Sequence, residues 1–232
     1  MDAIEFIGIE EDLNANTLAQ CQKLVEQTME DENSDENSKD KSLDGKSPLK
    51  PFVVNMVACV DYGIPLNLFK IATSIRNAEY NPIRFPAVTI RIQDPKATGL
   101  TFKNGKVNIV GCKTEELAYL AARKFGRLFT SLGFKPVLKT FQISNIVATM
   151  DCKFPIHLES MASHPGHKVF STYNPEVFAG LVYRLASPRV TLLIFVSGKL
   201  VVTGAKNNED LVAAADNIFP ILQQFARKQP EK

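Results

Sequence analysis

The chain has 232 residues, 45% of them hydrophobic, a formal charge of +2 and no tryptophan. That is enough apolar material for a packed core of one or two domains, which excludes a wholly disordered chain. Nothing approaches 18 consecutive apolar residues, so no membrane span is expected; the start at Met1 lacks the basic region of a secretion signal. The small net charge hides a split. Residues 1–50 hold 13 acidic and 5 basic side chains, a net of −8, while the remaining 182 hold 22 basic and 12 acidic, a net of +10. An acidic appendage on a basic body points to a polyanion as partner.

In chain order, Leu18, Cys21, Leu24, Val25 and Met29 predict a short amphipathic helix over 16–29. From Glu30 to Lys50 almost nothing apolar remains, and disorder is expected there. An apolar run from Phe52 to Val60 reads as a strand, and Leu66, Phe69, Ile71, Ala72 and Ile75 suggest a helix. Strand-rich runs follow from Ala87 to Val110, punctuated by turns at Asp94-Pro95 and Asn104-Gly105, the second a strong hairpin signal. Thr114 is the expected N-cap of a helix that runs to about Gly133, with Glu115 and Glu116 on its positive end. The order then restarts: an apolar run Phe141 to Thr149, β-rich runs turning at Ser197-Gly198, and a last helix capped at Asn208.

The restart is a duplication. Tyr80-Asn81-Pro82 with Phe85 returns 93 residues on as Tyr173-Asn174-Pro175 with Phe178; Arg91 returns as Arg184, and Phe102–Lys113 as Phe195–Lys206. Asn55-Met56-Val57-Ala58 and Asn145-Ile146-Val147-Ala148 are offset by 90, the three extra residues falling near a loop at His164-Pro165-Gly166. Three expected segments result: an acidic tail over 1–50, a first repeat over 51–140 and a second over 141–232. The fold class predicted is α+β, two pseudosymmetric halves forming one curved antiparallel sheet with helices on the convex side. Segments such as Thr191–Val196 read apolar on both faces, so the face away from the helices needs a flat, partly apolar partner. A duplex, with its own approximate twofold symmetry, suits a duplicated protein.

Four cysteines (Cys21, Cys59, Cys112 and Cys152) show no CxxC grouping, and with His157, His164 and His167 they offer no metal-ligand spacing. No cofactor is expected. An enzyme is disfavoured: no H-x-E with C-x-x-C, no paired carboxylates in the basic body and no phosphate-cradling glycine loop appears.

RNAEYNPIRF (76–85), LAARKFGR (120–127), KFPIHLE (153–159) and LLIFVSGKLVVTGAK (192–206) resemble the core of the TATA-box-binding protein family over about residues 50–228. The resemblance implies a saddle whose concave sheet sits in the DNA minor groove, acting in the nucleus as a general transcription factor that nucleates a preinitiation complex. The pairs Phe85/Phe102 and Phe178/Phe195, each separated by 17 residues, match wedges inserted between base steps. Prising a step apart costs roughly a few kcal/mol, a magnitude known from this family's own behaviour. Asn55, Val57, Leu100, Asn108 and Val110 in the first copy, and Asn145, Val147, Leu193, Val201 and Thr203 in the second, match groove-lining positions. Arg84, Arg91, Lys106, Lys113, Arg184, Lys199 and Lys206 match phosphate-facing ones. Glu176 and Val177 match a surface for transcription factor IIB. Arg123, Lys124 and Arg127 match one for transcription factor IIA. TBP-associated factors and the RNA polymerase machinery are the further partners implied.

Asn174 stands where the family usually has a glutamate, and the chain departs from the family pattern in three further places. Asn108-Ile109-Val110 stands where Val-x-Thr is usual, which predicts a looser A·T preference over one half-site and tolerance of a G·C pair that Asn108 could bond. Pro86 and Ala179 are swapped, which bears on polarity along DNA, and the loop around His164–His167 is two residues longer. The Asn108 change also keeps open a second reading, a paralogue that acts mainly through protein partners.

Overall fold

The computed structural model describes residues 46–227; residues 1–45 of the acidic tail and the helix expected over 16–29 lie outside them, while Leu49, in the stretch expected to be disordered, is buried. Within that range the elements occur in one order, twice. The first copy is β1 (Phe52–Asp61), α1 (Leu68–Ser74), β2 (Ala78–Glu79), β3 (Ala87–Gln93), β4 (Lys96–Phe102), β5 (Lys106–Cys112) and α2 (Glu115–Ser131). The second is β6 (Thr140–Asp151), α3 (Leu158–Ser163), β7 (Ser171–Thr172), β8 (Leu181–Leu185), β9 (Val190–Ile194), β10 (Lys199–Ala205) and α4 (Asn208–Gln224). The described chain forms two compact units, Val53–Ile146 and Val147 onward together with residues 46–52.

In the first unit the strands run in the order β2-β3-β4-β5-β1, each pair antiparallel. The hairpins that set this order are those the turn residues predict. Gly105 adopts φ +87°, and a Cβ there would sit 2.0 Å from the Ile64 carbonyl oxygen, so only glycine fits. Helix α2 begins at Thr114, whose side chain accepts from the Leu117 N–H at 3.3 Å. The helices bury one face of the sheet: Ala58, Val60, Val88, Ile90, Val107 and Ile109 join Ile71, Phe125 and Phe129 in one core. Phe125 lies against Gly99, where a Cβ would come within 2.5 Å of its ring, and Tyr62 packs edge-on to Phe129 at 5.3 Å. Each such ring contributes about 1.5–3 kcal/mol of burial.

The second unit repeats the plan, with the order β10-β9-β8-β7 and antiparallel pairs. Gly198 has φ +91° at the turn matching Gly105, and its Cβ would meet the Phe154 carbonyl oxygen at 2.2 Å. The cap of α4 is Asn207, whose side chain accepts from the Asp210 N–H at 2.7 Å; the sequence reading placed it one residue later. At the other end of the unit's chain, the Ser47 N–H donates to the Asp216 carboxylate at 2.7 Å, tying the segment before β1 to α4.

Candidate nucleic-acid interface

Strand residues alternate between faces, so Val57, Leu100 and Val110 lie on the face that does not contribute to the helix-packed core. Val57 pairs with Val110 across β1 and β5, and Leu100 with Asn108 across β4 and β5. In the second unit Val201 pairs with Leu193, and Thr203 with Thr191. Val57, Leu100, Val110, Val147, Leu193, Val201 and Thr203 are all between 0 and 3% exposed. Strand alternation alone predicts an open apolar face here, and the low exposure of these residues is where the structure differs.

Two aromatic pairs stand at the ends of the hairpins. Phe85 follows a turn in which its own N–H donates to the Asn81 carbonyl at 2.9 Å. Strand β3 starts two residues on and pairs Ala87 with Phe102, which brings the rings together edge-to-face, centroids 6.1 Å apart at 62°. The second unit repeats this: the Phe178 N–H donates to the Asn174 carbonyl at 2.9 Å, and the Phe178 and Phe195 rings are 5.7 Å apart at 69°. The copies differ in one respect that the sequence reading missed. Where the first has Ala87, the second has Gly180, and a Cβ there would meet the Phe178 ring at 2.6 Å and the Phe195 ring at 3.1 Å. Its two-residue spacing from Phe178 was the available signal.

The asparagines are oriented by the backbone around them. The Gly111 N–H donates to Asn55 Oδ1 at 2.9 Å, beside a register shift between Met56 and Val57, so the Asn55 amide nitrogen is the end left to donate elsewhere. Asn108 Oδ1 accepts from the Cys59 thiol at 3.2 Å. Asn145 stands on β6.

Arg84, Lys106, Lys113, Arg184 and Lys206 are exposed and Lys199 is half-buried. Arg91 is not a bare cation: its guanidinium sits 3.3 Å from the Glu79 carboxylate, with both side chains largely exposed. Thr172 holds the place of Glu79 in the second copy, so the rims differ in charge. Arg123, Lys124 and Arg127 are exposed on α2, and Lys124 Nζ donates to the Asp94 carbonyl oxygen. Glu176 and Val177 are exposed on the turn before Phe178, where the Glu176 N–H donates to Asn174 Oδ1 at 3.3 Å.

The cysteines and histidines take structural positions. Cys59, Cys112 and Cys152 are free thiols, and burial pushes those of Cys112 and Cys152 up. His157 caps α3, accepting from the Ser160 N–H, and His167 shares a hydrogen bond of 3.0 Å with the Tyr183 hydroxyl. Among the described residues no group of three or more His, Cys, Asp or Glu could hold a metal.

A half built of strand, helix, four strands and helix, present twice and carrying one ring pair and one basic rim per copy, defines a duplicated α+β nucleic-acid-binding protein. The family model described as transcription factor TFIID, or TATA-binding protein (TBP), matches residues 50–132 and 140–225, one match per repeat. The chain is 49% identical over 183 residues to "TATA-box-binding protein 1" of Triticum aestivum, covering 79% of this chain and 78% of that protein. It is 44% identical over 201 residues to "TATA-box-binding protein" of Saccharomyces cerevisiae, covering 87% and 83%. Among solved structures, Methanococcus jannaschii TBP superposes with a TM-score of 0.68 at 36% identity, covering 75% of this chain and 98% of that one. The chain belongs to the TATA-binding protein family, DNA-binding transcription factors that are not enzymes.

Proposed function

We propose that this chain is a general transcription factor that binds TATA-like DNA through the minor groove, bends it by inserting the pairs Phe85/Phe102 and Phe178/Phe195 between base steps, and nucleates preinitiation complex assembly in the nucleus. The observation that carries the reading is the recurrence of the ring pair at equivalent turns of both copies, 6.1 and 5.7 Å apart. A pair of rings fixed by a tight turn and a hairpin is a stiff apolar plate, able to replace a base-stacking contact. Asn55 supports A·T recognition: with its oxygen occupied by Gly111, it offers a donor to the N3 and O2 acceptors of the groove floor. Asn145 is its counterpart in the second copy. Val57, Leu100, Val110, Val147, Leu193, Val201 and Thr203 press on that floor, while Arg84, Arg91, Lys106, Lys113, Arg184, Lys199 and Lys206 neutralise phosphates and release counterions.

Transcription factor IIB is the partner proposed for Glu176 and Val177, transcription factor IIA for Arg123, Lys124 and Arg127, with TBP-associated factors and the polymerase machinery recruited in turn. The acidic segment over residues 1–50 is proposed to compete with DNA for the basic body formed by the repeats over 51–140 and 141–232. Its net charge of −8 against +10 supports this.

The reading is tested by gel shift of the full chain on a TATAAA duplex against a scrambled duplex, with and without residues 1–50, at low salt. Preference for TATAAA, with tighter binding after deletion, is expected. Equal binding to both duplexes would favour the paralogue that acts through protein partners, and an unchanged affinity after deletion would remove the competing role of the tail.

A further inference from the structure

On the face of the first unit away from the helices, β1, β5 and β4 set Cys59, Asn108 and Leu100 in one row, Cys59 facing Asn108 and Asn108 facing Leu100. Cys59 and Asn108 are half-exposed, whereas Val57, Val110 and Leu100 around them are buried. The Cys59 thiol donates to Asn108 Oδ1 at 3.2 Å. The polarity of that contact favours this orientation of the amide: turned the other way, the NH2 group would have only a weak sulfur acceptor to meet. The second copy has Thr149 and Val201 at these places, so it has no amide to orient.

Resting on the minor-groove reading above, we infer that Cys59 is a positioning residue for base selection: its thiol holds the Asn108 oxygen aside, so that the amide nitrogen is presented to the groove floor and guanine is excluded at the base pair beneath it. A freely turning asparagine offers a donor and an acceptor and can satisfy any pair. Adenine N3, thymine O2 and cytosine O2 are all acceptors, and the guanine N2 amino group is the one donor on the floor. An amide whose oxygen is held toward β1 meets acceptors well and leaves the guanine amino group facing another donor, a mispairing that costs a buried polar group its partner. The hydrogen bond thus reverses what Asn108 alone predicts. The substitution that reads as loosened A·T preference becomes, with Cys59 beside it, a guard against G·C.

The experiment is selection of bound duplexes from a pool randomised across the site, using the full chain and its Cys59→Ala, Cys59→Ser and Asn108→Val variants. Cys59→Ala is expected to admit G·C at one base pair with about tenfold enrichment over the unaltered chain, the effect of one rescued polar partner, and to leave the other positions unchanged. Cys59→Ser, whose hydroxyl both donates and accepts, is expected to admit less G·C than Cys59→Ala. Adding Cys59→Ala to Asn108→Val changes nothing further. If Cys59→Ala keeps the original profile, the positioning role is overturned while TATA selection stands. If the unaltered chain selects no sequence, the minor-groove reading falls and this inference falls with it. The Asn108 side-chain amide resonances of the free protein give a check independent of binding. They move on Cys59→Ala, and unmoved resonances would refute the contact.

Discussion

Gly180 gives the Phe178 and Phe195 rings the space that a side chain would take. A methyl group there would press on Phe178 at 2.6 Å, and because the backbone at Gly180 is not in the left-handed region, ring displacement is the whole effect. Gly180→Ala is therefore expected to cost about 1–3 kcal/mol in stability through overpacking and to reduce DNA bending at that end of the site, read by thermal unfolding and by energy transfer across an end-labelled duplex. Ala87 holds the corresponding place in the first copy, so Ala87→Gly is expected to leave bending intact. Arg91 gives a prediction of the opposite sense. Its pairing with Glu79 is exposed and worth roughly 0.2–1 kcal/mol, so Glu79→Gln is expected to raise DNA affinity about twofold to fivefold at low salt, measured by titration. An unchanged affinity would mean that Arg91 does not reach a phosphate. Neither Glu79 nor Cys59 stood out in the sequence, because each acts across a strand pair, and register is not written in composition. Cys59 lies two residues beyond Val57, so strand alternation alone would have put it on the same face.

At the scale of elements, the turns and caps were the most legible parts. Asn104-Gly105, Ser197-Gly198 and Thr114 carry local chemistry that nothing distant overrides, and each stands where it was expected. The α4 cap slipped by one residue because Asn207 and Asn208 are both good caps, and only the approach of the Asp210 N–H chooses between them. Phe69 was read as part of an apolar helix face but is 72% exposed, since α1 runs only from Leu68 to Ser74 and buries Leu68 and Ile71. On the proposed reading the β4–β5 turn matters because Phe102, the last residue of β4, stands beside it. Gly105→Ala would force a Cβ into the Ile64 carbonyl oxygen and strain a φ of +87°. A loss of about 1–3 kcal/mol in denaturant unfolding is expected, with weaker DNA binding from the first copy. A variant as stable as the original would show that the turn relaxes.

For the molecule as a whole, the duplication decided more than any single motif. A lone phenylalanine among 15 carries no information, whereas the same spacing twice, with the same turn before it, predicts a paired arrangement that the rings adopt. The charge split of −8 and +10 was equally legible; the burial of Val57, Leu100, Leu193 and Val201 was not, since burial depends on tertiary packing that alternation cannot report. The basic rim makes a quantitative prediction. Arg184→Ala is expected to weaken binding to TATA-like and random duplexes alike and to lower the slope of log affinity against log salt by about 1. A sequence-dependent loss would instead place Arg184 at a base edge.

Bending by the paired rings is read from the bend angle of a TATAAA duplex, by energy transfer between its labelled ends, with the full chain and with Phe178→Ala/Phe195→Ala. A strong bend with the unaltered chain, reduced by the double substitution while the protein stays folded, is the result predicted. An equally bent duplex with the folded double variant would contradict the account, because the deformation would then come from the sheet and its basic rim without the wedges.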